Sequence, residues 1–162
     1  MNSQEDNAFN ETDLLRFIQD ELRLLNRNDF DAWIDLFTDD GVYCIPLDEA
    51  QTDVSTYDMA MYDNKPLMKI RKENFGHQAS PSMKYPMRSM RMVSDCRIVE
   101  SDEASCVTDT PFMASIFYQE MHWYAGTYSH QFVRVGNSIK IARKQVNLLN
   151  MGAPFGAIMT YL

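Results

Sequence analysis

The chain has 162 residues, 45% of them apolar, enough for one ordinary core and too short for several domains. With 15 basic and 23 acidic side chains, a net charge of −8, it lacks the basic footprint that nucleic-acid binding requires. Its three cysteines, Cys44, Cys96 and Cys106, form no Cys-x-x-Cys pair, which points to reduced, buried thiols in a cytoplasmic protein rather than a disulfide framework.

The first residues, MNSQEDNAFNETD, are acidic and polar, with neither the basic nor the apolar region of a secretory signal, so residues 1–11 are expected to form a loose arm. A first helix is expected from about Thr12 to Asn26, with Leu14, Leu15, Ile18, Leu22 and Leu25 on one face. Asn10, followed three residues later by Asp13, resembles a capping box. Next comes NDFDAWIDLFTDDGVYCIPL, Asn28 to Leu47. Asn28 suits an N-cap, and Phe30, Trp33, Ile34 and Phe37 recur at helical spacing. Asp40-Gly41 marks a turn, and the β-prone Val42, Tyr43, Cys44 and Ile45 form a strand that Pro46 ends.

Residues 48–63 are polar and without period, which predicts a long loop. Lys65 to Phe75 reads as a third helix, its Lys65, Lys69 and Lys72 stripe most simply a solvated face. From Tyr85 the period changes to two. Met90, Met92, Cys96 and Ile98 are expected on one side, with Ser89, Arg91, Asp95 and Arg97 on the other. Further strands are expected over Ala104–Tyr118, His122–Val135 and Ile139–Leu149, with Gly136-Asn137 as a hairpin turn between the last two. Helices first and long consecutive strands afterwards give an α+β protein, a single domain with helices packed on a curved, mainly antiparallel sheet.

After Lys144 no charged side chain occurs up to Leu162. Asn147, Asn150, Gly152, Pro154 and Gly156 interrupt this stretch, so it makes no membrane helix. Two readings stay open for it. It is a last core strand with a short tail, or residues 151–162 are a subunit interface covered by another chain.

The order helix, helix, "DDGVY", strand, helix and four long strands resembles the cone-shaped fold shared by nuclear transport factor two, ketosteroid isomerase and scytalone dehydratase. Within that group, four segments resemble the small (beta) subunit of bacterial aromatic-ring-hydroxylating (Rieske non-haem iron) dioxygenases. ELRLLNRNDFDAWIDLFTDDGVYCIPL is similar to that family's opening, YDNKPLMKIR to its third-helix start, and RSMRMVSDCRI to its Arg-rich strand. YAGTYSHQFVRVGNSIKIARKQVNLLN, with the closing IMTYL, is similar to its last strands and tail. The chain departs from the pattern at Arg91, where the family often has His, at Asp95, where it often has Asn, and at YCIP, where Trp commonly follows Tyr.

The resemblance implies a cofactor-free, mainly structural subunit with no catalytic, cofactor-binding or metal residues of its own. The Rieske 2Fe-2S cluster and the mononuclear non-haem iron would sit in a large (alpha) subunit, in an assembly of three alpha and three beta chains with beta–beta contacts. A separate reductase would supply electrons from NAD(P)H. The complex would add O2 to an aromatic ring to give a cis-dihydrodiol in aromatic-compound catabolism, and the isolated chain would be inactive. No membrane or nucleic-acid partner is implied.

The residues agree with that division. A Rieske centre needs two Cys and two His, and the mononuclear iron a two-His, one-carboxylate set. Only His77, His122 and His130 are present, and no cysteine has a His two residues on. On one strand, positions 122 and 130 would stand roughly 26 Å apart, too far to share a metal. No GxGxxG, phosphate loop, GxSxG or HExxH occurs.

Two alternatives use the same fold. As a stand-alone dehydratase or isomerase, Asp35, Tyr43, Arg91 and His122 would face an apolar pocket, the Asp or His as general base and the Tyr or Arg stabilising an enolate. Against it, Asp35 falls on the outer side of its helix, Tyr43 suits a core aromatic with a bonded hydroxyl, and Arg91 suits a carboxylate pair. Alternatively, the chain is a homodimeric interaction module, which its uncharged end would suit. Its twelve methionines suit adaptable core and interface filling.

Overall fold

The computed structural model describes residues 8–48, 59–153 and 156–162. Helix α1 runs Glu11–Asn26, capped by Asn10, whose side chain accepts from the Thr12 and Asp13 amides. Its buried face is Leu14, Ile18, Glu21, Leu22 and Leu25. The spacing makes one stripe, and Glu21 lies inside it. Helix α2 is a single turn, Phe30–Ile34, and α3 spans Lys65–Gln78 behind the N-cap Asn64 and Pro66. The strands are β1 Phe37–Pro46, β2 Met59–Asn64, β3 Arg88–Val93, β4 Arg97–Ser101, β5 Ser105–Tyr118, β6 Glu120–Val135 and β7 Ser138–Leu148.

One sheet has the order β2-β1-β7-β6-β5-β3, with β4 also paired to β5. All neighbours are antiparallel except β1 and β7, the parallel pair that joins the first strand to the last. Helix α1 packs on β3 and α2, while α3 packs on α2, β1 and β2. The helices thereby close a cone over the concave face of the sheet, the α+β architecture the element order implies.

Several local expectations change. Asn28 is not a cap. It takes φ +57 between the two helices, a conformation asparagine tolerates, and Asp29 caps α2 through the Ala32 amide. Asp40-Gly41 is no turn between elements, since β1 starts at Phe37 and absorbs the pair as an irregularity in its pairing with β7. A Cβ on Gly41 would meet Phe37 Cβ at 2.9 Å. Of the loop expected over 48–63, Met59–Asn64 is strand β2, because it pairs with β1, and residues 49–58 lie outside the described residues. The same holds for residues 1–7 of the expected arm.

The expected strand from Tyr85 divides into β3 and β4. Met90 and Met92 point to solvent while Cys96 is buried, because the chain breaks its extended run between Val93 and Arg97. The lysine stripe is only partly solvated. Lys65 Nζ donates to the Phe37 carbonyl at 3.0 Å, and Lys72 bonds Asp31, so α3 is tied to β1 and α2. Gly136, at φ +61, makes the expected hairpin turn between β6 and β7.

Gly126 on β6 lies across from Leu148, and a Cβ there would fall 1.9 Å from the Asn147 carbonyl oxygen. Relieving that overlap requires the central strands to separate. Gly126→Ala is therefore expected to lower unfolding free energy by about 3 kcal/mol, read from the midpoint of a urea transition.

Candidate functional site

The interior of the cone holds two polar clusters. The first is centred on Glu21 of α1, which is fully buried. Its Oε1 accepts from Lys144 Nζ at 2.6 Å and from Trp33 Nε1 at 2.9 Å. Its Oε2 meets His130 Nε2 at 2.8 Å. One carboxylate thus ties α1 to α2, β6 and β7. Lys144 Nζ also lies 4.3 Å from the Tyr128 ring centroid, a cation–π contact in a desolvated setting. Burial alone would raise the Glu21 pKa, but Lys144 and His130 override it and hold the carboxyl well below its usual range. Burial lowers both His130 and Lys144, with Glu21 opposing. A neutral His130 donating from Nε2 to an ionised Glu21 fits this arrangement.

The second cluster gathers around residues 160–162, which are buried inside this chain. The Tyr161 ring lies 4.5 Å from Trp33, 4.8 Å from Tyr43 and 5.1 Å from Phe75. Its hydroxyl donates to Asp63 Oδ2 at 2.8 Å, and Arg71 holds Asp63 through two further bonds of 2.5 and 2.9 Å. Arg91 Nη2 donates to the Tyr161 carbonyl, and the Leu162 amide donates to the Tyr43 hydroxyl at 2.9 Å.

Of the four candidate catalytic residues, two converge. Tyr43 and Arg91 meet on residues 161 and 162, where the Tyr43 hydroxyl accepts from the Leu162 amide and Arg91 Nη2 donates to the Tyr161 carbonyl. Arg91 does not find the expected carboxylate. Its donors reach Asn26 Oδ1 at 3.0 Å, Ser89 Oγ at 2.7 Å and the Tyr161 carbonyl. Of these neutral acceptors β3 itself offers only Ser89, while α1 and residue 161 supply the other two. Asp35 is exposed at the end of α2, where its carbonyl accepts from Lys140, and His122 lies partly exposed with its ring against the Tyr118 carbonyl. The four do not form a common pocket.

Sequence pattern marks neither Glu21 nor Lys144 as a site residue, and marks His130 only as a histidine too far from His122 to share a metal. Each nonetheless shares the phase of apolar neighbours: Glu21 with Ile18 and Leu25, His130 with Tyr128 and Phe132, Lys144 with Val146 and Leu148. Opposite charges at inward positions of different elements were the available signal.

Among the described residues no three His, Cys, Asp or Glu side chains converge as metal ligands would. Burial raises the thiol pKa values of Cys44 and Cys96 and pushes Cys106 up to about 11, so none is a thiolate nucleophile at neutral pH.

The outer face of the sheet differs in character. Met90, Met92, Met113, Met121 and Trp123 are each at least half exposed. Met92 stands opposite Met113, and both Met90 and Trp123 stand opposite Ser115, so the side chains form one patch across β3, β5 and β6. A groove of about 440 Å³ between Met92, Pro111 and Met113 adjoins it. Contiguous exposed apolar surface of this kind marks a contact site.

Glu21→Ala strands a buried lysine and is expected to cost about 3–5 kcal/mol in chemical denaturation. The knot also sets a pH dependence. His130 and Glu21 both bind protons less readily folded than unfolded. Their stabilisation is full above the ordinary histidine value of 6.5, falls below it as the unfolded state protonates the histidine, and falls again below the ordinary glutamate value of 4.5. His130→Gln is expected to flatten the upper part of this decline and retain the lower, in denaturation midpoints measured from pH 8 to 4.

The comparisons with known proteins agree with one another. The beta subunit of benzoate 1,2-dioxygenase from Burkholderia mallei is similar at 22% identity and TM-score 0.73, over 88% of this chain and 92% of that one. A chain of naphthalene 1,2-dioxygenase with indole bound in its active site is similar at 16% identity and TM-score 0.71, over the whole of both chains. A scytalone dehydratase-like protein from Novosphingobium aromaticivorans is similar at 15% identity and TM-score 0.63, over 90% of this chain and 92% of that one. These likenesses establish the fold. No curated protein sequence matched significantly. The family described as ring hydroxylating beta subunit matches residues 20–152, most of the chain. The chain belongs to the ring hydroxylating beta subunit family.

Proposed function

We propose that the chain is the structural partner of a large subunit that carries the redox centres of an aromatic-ring-hydroxylating dioxygenase. The family match carries this reading. The interior supports it, because Glu21, Lys144 and His130 are tied to one another, and Asp63 and Tyr43 to residues 161 and 162. The donor chemistry supports it too: His130 is committed to Glu21, and Asp63 to Arg71 and Tyr161. In the proposed complex the partner's Rieske cluster and mononuclear iron supply electron transfer and oxygen activation. The product is a cis-dihydrodiol, the reductant NAD(P)H through a separate reductase. This chain contributes rigidity and contact surface, in the cytoplasm, and has no hydroxylase activity alone.

We place the subunit contacts on the methionine and tryptophan face of β3, β5 and β6, and on residues 149–153, where Leu149 is 84% exposed. No helix among the described residues is long and apolar enough to cross a membrane. The dehydratase or isomerase reading is not favoured, since its four residues are not brought together, and the family match does not point to a homodimeric module.

Co-expressed with its large partner, the chain is expected to elute in an assembly of roughly 200 kDa, the size expected for three of each subunit. A partner that is complete and active without this chain would contradict the proposal. Trp123→Glu with Met113→Glu is expected to reduce recovery of the assembly at least tenfold while the isolated chain keeps its circular dichroism spectrum.

A further inference from the structure

Tyr161 sits in the interior the way a bound ligand sits in a site. Its ring is boxed by Trp33, Tyr43 and Phe75 at 4.5 to 5.1 Å. Its hydroxyl has a dedicated carboxylate acceptor in Asp63, itself fixed in orientation by Arg71. At the other end of the same residue, the carbonyl accepts a bond from Arg91 and the following amide donates to the Tyr43 hydroxyl oxygen. A 4-hydroxyphenyl group and the oxygen function three carbons away from its ring are both recognised.

Two features are unexplained by self-packing. Arg91 is 4% exposed, yet the acceptors of its hydrogen bonds are all neutral, and its Nε has no partner. Glu21 acts on this guanidinium only through its field, so Arg91 forgoes the stronger, directly hydrogen-bonded pairing with a carboxylate. Beside it in the interior, the fully buried Tyr128 hydroxyl has no partner either, and it lies within the electrostatic reach of Arg91. Hydroxyls so buried normally find an acceptor. Both orphaned groups are donors, and both would be satisfied by an anion with one more oxygen than a peptide carbonyl offers.

We propose that the aromatic box of Trp33, Tyr43 and Phe75, with Asp63 at one end and Arg91 at the other, is a binding site for 4-hydroxyphenyl carboxylic acids that Tyr161 occupies as a tethered stand-in. The phenol hydroxyl donates to Asp63, and the ring fills the box. The carboxylate accepts from Arg91, with its second oxygen open to the Tyr43 or Tyr128 hydroxyl. Because the tether gives Tyr161 a high effective concentration, a free ligand competes poorly in the unaltered chain and well once the ring is removed. The site is a property of this chain alone and does not depend on a large subunit.

The test uses the full chain carrying Tyr161→Gly, which empties the aromatic box, unpins the tail and leaves only the residue 161 carbonyl for the ligand carboxylate to displace from Arg91. This variant is titrated calorimetrically with 3-(4-hydroxyphenyl)propanoate, 3-phenylpropanoate and 4-ethylphenol. The expected result is binding of the first at least tenfold tighter than of the other two, and at least tenfold tighter than to the unaltered chain. Equal binding of all three would reveal a plain apolar cavity and overturn the proposal, as would no binding to a folded variant. Should Tyr161→Gly not fold, Tyr161→Phe weakens the stand-in without emptying the box. In that variant, 3-(4-hydroxyphenyl)propanoate is expected to speed hydrogen exchange over residues 156–162 at least threefold, and 3-phenylpropanoate is not. Unchanged exchange with both would overturn it.

Discussion

The buried Glu21 carboxylate is the constraint on which the rest of the cone depends. A helix laid across a curved sheet could slide or rotate on apolar contacts alone, since those are non-directional. Three donors from α2, β6 and β7 converge on one group of α1, and this removes that freedom. An ion pair so deep repays its desolvation only when its geometry is good and its remaining lone pairs are used. Here Trp33 and His130 use them, and the rings of Tyr128 and Trp33 flank the ammonium. Specificity of packing, more than net stability, is what such a knot supplies.

The second cluster completes the closure. Residues 160–162 enter where α2, α3, β1 and β2 meet, and Tyr161 touches aromatic side chains from both helices and from β1. Asp63 and Arg71 brace it from β2 and α3. The interior between these elements is therefore filled by the chain's own side chains. The apolar outer face across β3, β5 and β6 is where the proposed partner contact would form.

Much of this was legible in the sequence. The 14-18-22-25 stripe of α1, the alternating Phe112, Ala114 and Ile116, and the Gly-Asn hairpin each follow from local pattern, and the structure agrees. What was not legible depended on pairing between distant segments. Met59–Asn64 carries no strand pattern of its own and is a strand because β1 is beside it. Asp40-Gly41 has the chemistry of a turn but is held in β1 by its neighbours. The inward Arg91 and outward Met90 reverse the usual preference, because Asn26 and Tyr161, 65 and 70 residues away in sequence, supply acceptors that no local window contains. Burial of residues 160–162 in the chain's own interior belongs to neither reading of the uncharged end, because the groups that hold them, Tyr43, Asp63 and Arg91, are far away in sequence.

The claim that these interior groups are structural and not catalytic is tested most directly by replacing the whole knot at once. Glu21→Leu, His130→Phe and Lys144→Met together remove every ionisable member while keeping volume and leaving no charge stranded. In the purified complex with the large subunit, the expected result is hydroxylation per iron within about twofold of the unaltered complex. Normal assembly with normal iron content and a loss of turnover of a hundredfold or more would contradict the account, because it would place chemistry inside this chain.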